Sequence, residues 1–309
     1  MTRAEQAFYD AIRRKMATVQ PDVARSLLRG FRLLRESLDD AALARLLEEQ
    51  GAQGLVDALL SDDVFQRAFL PLRVQLRQTA GDGFEAAIRF LPAGGKIDGQ
   101  LAVAFDVLDP IVLEAVRALD SRVIRGLAEE TRETVRAFVE DGLREGIGPR
   151  TIAKGLRSVV GLAPNQEQAV RNYRKALDGT GGSPTDYALR DKRYDRLTMT
   201  PVRIDAAVNA YRRRFIAWNA ETNARTATND SFKLGQDLAW KDAQAKGIVT
   251  GPVQKTWIGV MDARERPEHV AMQGETVPID SAFSNGEMVP GESTYNCRCI
   301  SRYTLAKAA

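Results

Sequence analysis

The stretch from Asp109 to Gly146 constrains the chain most. Asp109-Pro110 is a helix start: the aspartate can cap the first free N–H groups, and proline suits the first helical position. From there IVLEAVRALDSRVIRGLAEETRETVRAFVEDGLREG keeps a helical period for about ten turns, until Gly146-Ile147-Gly148 stops it. Val112, Val116, Leu119, Val123, Leu127, Val135, Phe138, Val139 and Leu143 mark one face. A helix longer than ordinary globular ones predicts an elongated strut or a helical hairpin.

The flanking segments are helical too. Residues 1–90 read as consecutive amphipathic helices, with Phe8, Ile12 and Met16, then Leu27, Phe31, Leu34 and Leu38, at helical spacing. Asp39 or Asp40 can cap a helix that Gly51 ends, and Ser61-Asp62-Asp63 can cap another. Leu91-Pro-Ala-Gly-Gly-Lys96 breaks the pattern, and Pro149 and Pro164 open shorter helices beyond the long one. Residues 179–200 lack periodicity and are rich in turn formers, which predicts a linker or extended arm. Thr200-Pro201 then starts a helix with Val202, Ala206, Ala210 and Phe215 inward. The predicted fold is mainly α: elongated multi-helix N-terminal and central regions and a small α+β C-terminal module. The predicted partition is an N-terminal helical region over 1–90, a central long-helix unit over 91–178, the arm, and a C-terminal module over 201–309.

Composition narrows the function classes. The 309 residues are 44% hydrophobic and 28% charged, an ordinary globular balance. No uncharged apolar run approaches the length of a membrane span, so no membrane partner is expected. The first twenty residues read as an amphipathic helix and not as an export signal. Two cysteines too close for an ordinary disulfide fit a reducing cytoplasm. The net charge of +3 does not imply nucleic-acid binding by itself. One region is basic: from Arg171 to Arg214 there are eleven Lys and Arg against five Asp, with Tyr173, Tyr187, Tyr194 and Tyr211 interleaved. Either this is a solvated, internally paired surface, or Arg212, Arg213 and Arg214 contact phosphates of DNA or an acidic face on a partner. The interleaved aspartates favour the paired surface.

The chemistry-bearing residues gather at the C-terminal end. Trp257 to Cys299 holds the only histidine, His269, and both cysteines, Cys297 and Cys299. Trp257, Ile258 and Val260 read as a short strand. Asp262-Ala-Arg-Glu-Arg-Pro-Glu-His269 reads as a loop entering a short helix, Gly274, Gly286, Pro290 and Gly291 as turns, and Phe283 as a core anchor. Arg264 and Arg266 can lock the loop by reaching Asp262, Glu265, Glu268 or Asp280. Three readings compete. Asp262, His269, Cys297 and Cys299 could hold a structural zinc, since an extended Cys-Arg-Cys turns both sulfurs to one face and Arg298 to the other. The same residues could be a hydrogen-bonded cap whose cysteines are small buried hydrophobes. Or Asp262 and His269 could centre a metal-dependent hydrolase or nuclease. No Gly-rich cradle, nucleophile elbow or Ser-His-Asp order accompanies them, so an enzyme is the least favoured.

In order, Trp257, Asp262-x-Arg264-x-Arg266-Pro267-x-His269, Gly274, Phe283, Pro290-Gly291 and Asn296-Cys297-Arg298-Cys299 resemble the C-terminal signature of the phage Mu F-like proteins. Ala220-Glu-Thr-Asn-Ala-Arg225-Thr226, Asn229, Gly235, Trp240 and Gly247 are similar to that family's helical lead-in, except that Ala227 stands where the family usually has glutamate. The resemblance is strong over Asn219–Cys299, extends to Asp109–Leu177, and is absent as motif before that. It implies a bacteriophage minor head, or head morphogenesis, protein: a virion component at the portal vertex or capsid interior, present in the host cytoplasm during assembly. Implied partners are the portal protein, a major capsid or scaffolding protein, and packaged DNA. The apolar stripes of the N-terminal helices predict that residues 1–180 carry recruitment.

Overall fold

In a computed structural model, which describes residues 3–306, the chain is mainly α with a small three-stranded sheet near its C-terminus. It folds as two compact units, each assembled from separated segments. One comprises residues 1–24, 72–122 and 222–309; the other comprises 25–71 and 123–221. Four helices contribute residues to both: α1 (Arg3–Glu36), α4 (Leu70–Ile88), α5 (Pro110–Arg144) and α8 (Pro201–Ala245). Helix α1 runs through Pro21, which has no N–H to donate to the preceding turn.

The 25–71 and 123–221 unit is all helical, with α2 (Asp40–Leu59), α3 (Asp62–Ala68), α6 (Pro149–Val159) and α7 (Pro164–Leu177). Asp39 caps α2 by accepting from Ala42 N at 2.7 Å, and Gly51, at φ 67°, interrupts the same helix. Prolines open α6 and α7 as expected. The core of α7 and α8 is Leu162, Val170, Tyr173, Ile204, Ala207, Val208, Tyr211 and Ile216. The inward face of α8 is the expected one only in part: Ala210 is buried and Phe215 packs against this core. Val202 is 78% exposed, because Ile204, Ala207, Val208 and Tyr211 take the apolar contact. Leu143, expected on the buried face of α5, is 44% exposed in that helix's last turn.

The segment 179–200 holds only two short 3-10 turns. It is tied down by aromatic packing, with Tyr187 5.1 Å from Tyr173 and 5.9 Å from Tyr211 between ring centres, and by Leu189, Tyr194 and Met199. Its tyrosines, Tyr187 and Tyr194, are thus partly buried against the core of this unit.

The other unit contains α4 (Leu70–Ile88) from residue 72 onward, a hairpin of β1 (Lys96–Ile97) and β2 (Gln100–Leu101), and the sheet. The sheet is antiparallel in the order β4 (Thr276–Pro278), β3 (Val253–Ile258), β5 (Ile300–Leu305), with Lys255 opposite Val277 and Tyr303. The five-residue helix α9 (Pro267–Ala271) lies between β3 and β4. Asp109 caps α5 as expected, accepting from Ile111 N at 2.8 Å and Val112 N at 3.2 Å.

Helices α4 and α8 cross with their backbones touching in this unit. A Cβ on Gly235 would lie 1.8 Å from Ala80 O, and one on Gly83 would lie 2.1 Å from Phe232 O. Glycine at both positions permits that approach. It brings Phe84, Leu238, Trp240 and Ala243 into one core with Val112, Val116, Val253 and Tyr303. A second cluster packs Tyr9, Ile12 and Met16 on Phe232, Ile258 and Ile300.

Candidate functional site

The site is built around the end of β3. Beyond Ile258 the chain turns at Met261, whose φ is 59°. Asp262 Oδ1 accepts from Arg264 N at 3.0 Å, which tightens the loop. Glu265 Oε2 accepts from Met261 N, so its carboxylate is fixed by the backbone it follows. Pro267 then starts α9, in which His269 is the buried residue.

The second half comes from residues 286–299. Gly286 and Gly291 adopt φ of 85° and 81°, as the expected turns require. Gly291 is required for a second reason, since a Cβ there would meet Cys297 Cβ at 2.2 Å. Three buried charged groups that sequence reasoning did not single out hold this loop. Lys233 Nζ donates to Pro290 O at 2.5 Å and Lys255 Nζ to Met288 O at 2.7 Å. Glu287 accepts from Gly291 N at 2.7 Å, Ser293 N at 3.0 Å and Ser293 Oγ. Burial pushes the Glu287 carboxyl up, but the bonds from Ser293 and Gly291 outweigh it and hold the group below its usual range.

Helix α8 docks on the start of the Asn296–Cys299 segment. Thr226 Oγ1 accepts from Asn296 N at 3.0 Å, Arg225 Nη1 donates to Asn296 Oδ1 at 3.1 Å, and Asn229 Nδ2 donates to Cys297 O. These three residues share one face of α8. Ala227, which departs from the resembled pattern, is buried.

Cys-Arg-Cys alternates as the extended geometry demands. Arg298 forks onto Asp262, at 2.6 Å from Oδ2 and 2.5 Å from Oδ1, and holds that carboxyl well below the usual range. The two sulfurs turn the other way, onto His269: Cys297 Sγ is 3.6 Å and Cys299 Sγ 3.5 Å from Nδ1. His269, Cys297 and Cys299 are all buried, and their ligand atoms lie within 4.8 Å of one another.

Of the four residues expected to meet at one ion, three converge. Asp262 does not join them, because its two oxygens are occupied by Arg298. Glu265 is the carboxylate beside them, with Oε1 2.8 Å from Cys299 Sγ but outside the cluster of three. Of the two loop-locking arginines, Arg264 reaches Asp262 as expected, at 3.4 Å, whereas Arg266 donates to Tyr295 O at 2.8 Å.

The two thiols are inequivalent. Cys297 is pulled down, first by its hydrogen bond with Cys299 and then, against burial, by Lys233 and the Cys299 N–H. Cys299 is pushed well up by the same shared bond, by burial and by Glu265. His269 Nε2 sits 3.5 Å from Thr294 Oγ1, and its ring meets Trp257 edge-on at 5.4 Å. At 3% exposure the imidazole is walled off from solvent.

On the outer side, Arg13, Arg225, Arg264 and Arg298 line a cavity of about 290 Å³ with Tyr9 and Asn229. These arginines come from distant segments, so no local run in the sequence signals them.

The other expected phosphate contacts lie in the helical unit. Arg214 Nη1 donates to the carbonyls of Leu189, at 3.1 Å, and Arg190, and Nη2 lies 3.4 Å from Asp191. Arg212 is half-buried, with Nη1 2.8 Å from Asn209 Oδ1, and burial lowers its pKa; Arg213 is exposed. Nearby arginines are paired with the interleaved aspartates, Arg190 with Asp195 and Arg193 with Asp191.

Compared with known proteins, residues 133–302 match the model of a family described as phage Mu protein F like protein. That match covers more than half of the chain and includes His269, Cys297, Cys299 and the loops that hold them. No curated protein and no solved structure matches the chain.

Proposed function

The chain belongs to the phage Mu F-like protein family, and from that membership we propose that it is a head morphogenesis protein, a minor structural component of a bacteriophage head. In this reading it associates with the portal and the procapsid interior and acts in capsid assembly or in genome packaging and delivery. The family match carries the proposal. Two features of the site support a structural role. Its histidine is buried against Trp257, and its charged side chains are engaged with backbone carbonyls, backbone N–H groups and one another. A catalytic centre needs a base within reach of a substrate.

Partner contact is assigned to the segment joining the β1–β2 hairpin to α5. Ile97, Leu101, Leu108 and Ile111 are exposed there, with Leu108 at 81% and Ile111 at 68%. Clustered exposed apolar residues of this size suit a protein interface better than free solvent. Portal protein, major capsid protein or scaffold could cover it. Contact with packaged DNA is the weaker reading, because Arg212 and Arg214 are engaged within the fold.

Quantitative mass spectrometry of purified heads tests the proposal. The expected result is the chain in mature heads at a fixed ratio below that of the major capsid protein. Normal infectious heads assembled without the chain would overturn it.

A further inference from the structure

We propose that His269, Cys297, Cys299 and Glu265 form a structural zinc site that staples the start of β5 to α9. Three of these donors, His269, Cys297 and Cys299, are already spaced as ligands. With Zn–S of about 2.3 Å and Zn–N of about 2.05 Å, the sulfur–nitrogen edge of a zinc tetrahedron is about 3.6 Å. The two sulfurs stand 3.6 and 3.5 Å from His269 Nδ1.

A hydrogen-bonded cap accounts for this convergence poorly. Each sulfur has another partner, Cys297 Sγ accepting from Cys299 N and Cys299 Sγ donating to Glu265 Oε1, so neither needs the imidazole, yet both approach its single Nδ1. An ion at their centre satisfies all three. With Nδ1 as ligand, Nε2 carries the proton and faces Thr294 Oγ1 at 3.5 Å, the outer contact that orients a ligating histidine.

The fourth ligand assigned is Glu265, which touches Cys299 from outside the cluster of three and would swing in to join it. Its Oε2 is anchored by Met261 N, while Oε1 faces Cys299 Sγ at 2.8 Å. Loss of the Cys299 proton on metal binding replaces that contact with two bonds to one ion. Two thiolates, a neutral imidazole and a carboxylate around a divalent ion leave one negative charge, with Lys233 close by on α8. Two sulfurs, one nitrogen and one oxygen in tetrahedral array select zinc over the harder cations. Burial of Cys297, Cys299 and His269 under Trp257 and Phe283 closes the site, which marks the metal as structural.

Recruiting Glu265 in place of Asp262 has a mechanical consequence. Asp262 and Arg298 form a clamp on the opposite face of the same Cys-Arg-Cys segment, so metal and ion pair hold the strand from both sides.

The test uses the full chain, expressed and kept reduced. Elemental analysis is expected to find about one zinc per chain. Cobalt exchange is expected to give the intense visible bands of a tetrahedral ion and a thiolate charge-transfer band. Cys297→Ser, Cys299→Ser and His269→Ala are expected to lose the metal. Should they fail to fold, Glu265→Gln and Asp262→Asn decide: the first should weaken zinc binding by about tenfold or more, and the second should retain zinc content. Zinc-free protein whose melting temperature does not change with added zinc, and whose thiols react equally with and without it, would overturn the site. Equal zinc affinity in Glu265→Gln and the parent would overturn Glu265 as ligand.

Discussion

Asp230 offers a test of the buried electrostatics beneath the 286–299 loop. It sits on α8 at 7% exposure, 3.5 Å from Arg122 Nη2, facing also Lys233, Cys297 and Glu292. Burial raises its carboxyl from 3.8 to about 6, against the pull of Lys233 and Arg122. A carboxyl whose folded pKa exceeds its unfolded one adds stability below the unfolded value, and that stability is lost as pH rises through the folded value. The window is therefore pH 3.8 to about 6. A rise of about two pKa units corresponds to about 3 kcal/mol, at about 1.4 kcal/mol per unit.

Asp230→Asn keeps the shape and removes the titration. Urea unfolding of parent and variant across this range should show the variant gaining relative stability as pH rises, by up to about 3 kcal/mol between acid and neutral conditions. Parallel pH profiles, or a variant that loses ground at neutral pH, would refute the reasoning. The second outcome would mean that attraction to Arg122 and Lys233 exceeds the desolvation cost.

Other consequences can be measured separately. Glu287→Ala removes an acceptor of three charge-assisted hydrogen bonds and leaves Gly291 N–H buried without it. Unfolding free energy should fall by about 3–5 kcal/mol at neutral pH. Because its folded pKa is depressed, the loss should shrink as pH falls below the ordinary 4.5. Leu108→Ser with Ile111→Ser should leave the melting temperature nearly unchanged while reducing incorporation into heads; unchanged incorporation would move the partner surface elsewhere.

Helices were the most legible part of the chain, because their ends carry strong signals: Asp109-Pro110, Pro149, Pro164 and the glycines at 51 and 146. The turn glycines and the short helix bearing His269 were legible for the same reason. Helix α8 was harder to read. From Ala227 to Trp240 it is buried nearly all round, including Asn229, Ser231, Lys233 and Gln236, so no apolar stripe marks an inward face. Asn229 and Lys233 are tolerated inside because distant groups, Cys297 O and Pro290 O, accept their protons. Convergence of His269, Cys297 and Cys299 followed from residue scarcity and strand alternation. The choice between Asp262 and Glu265 did not. Both carboxylates precede His269 in one loop, and only the three-dimensional position of Arg298 commits Asp262 elsewhere. The role of the aromatic residues in the basic region was not legible for a related reason: only the fold shows that Tyr173, Tyr187 and Tyr211 pack on one another.

Imaging the portal vertex of purified heads, with and without this chain, tests the central claim most directly. The expected result is density for a few copies at or just inside the portal that disappears when the gene is deleted. Identical vertices in the two populations, with infectivity unchanged, would contradict it.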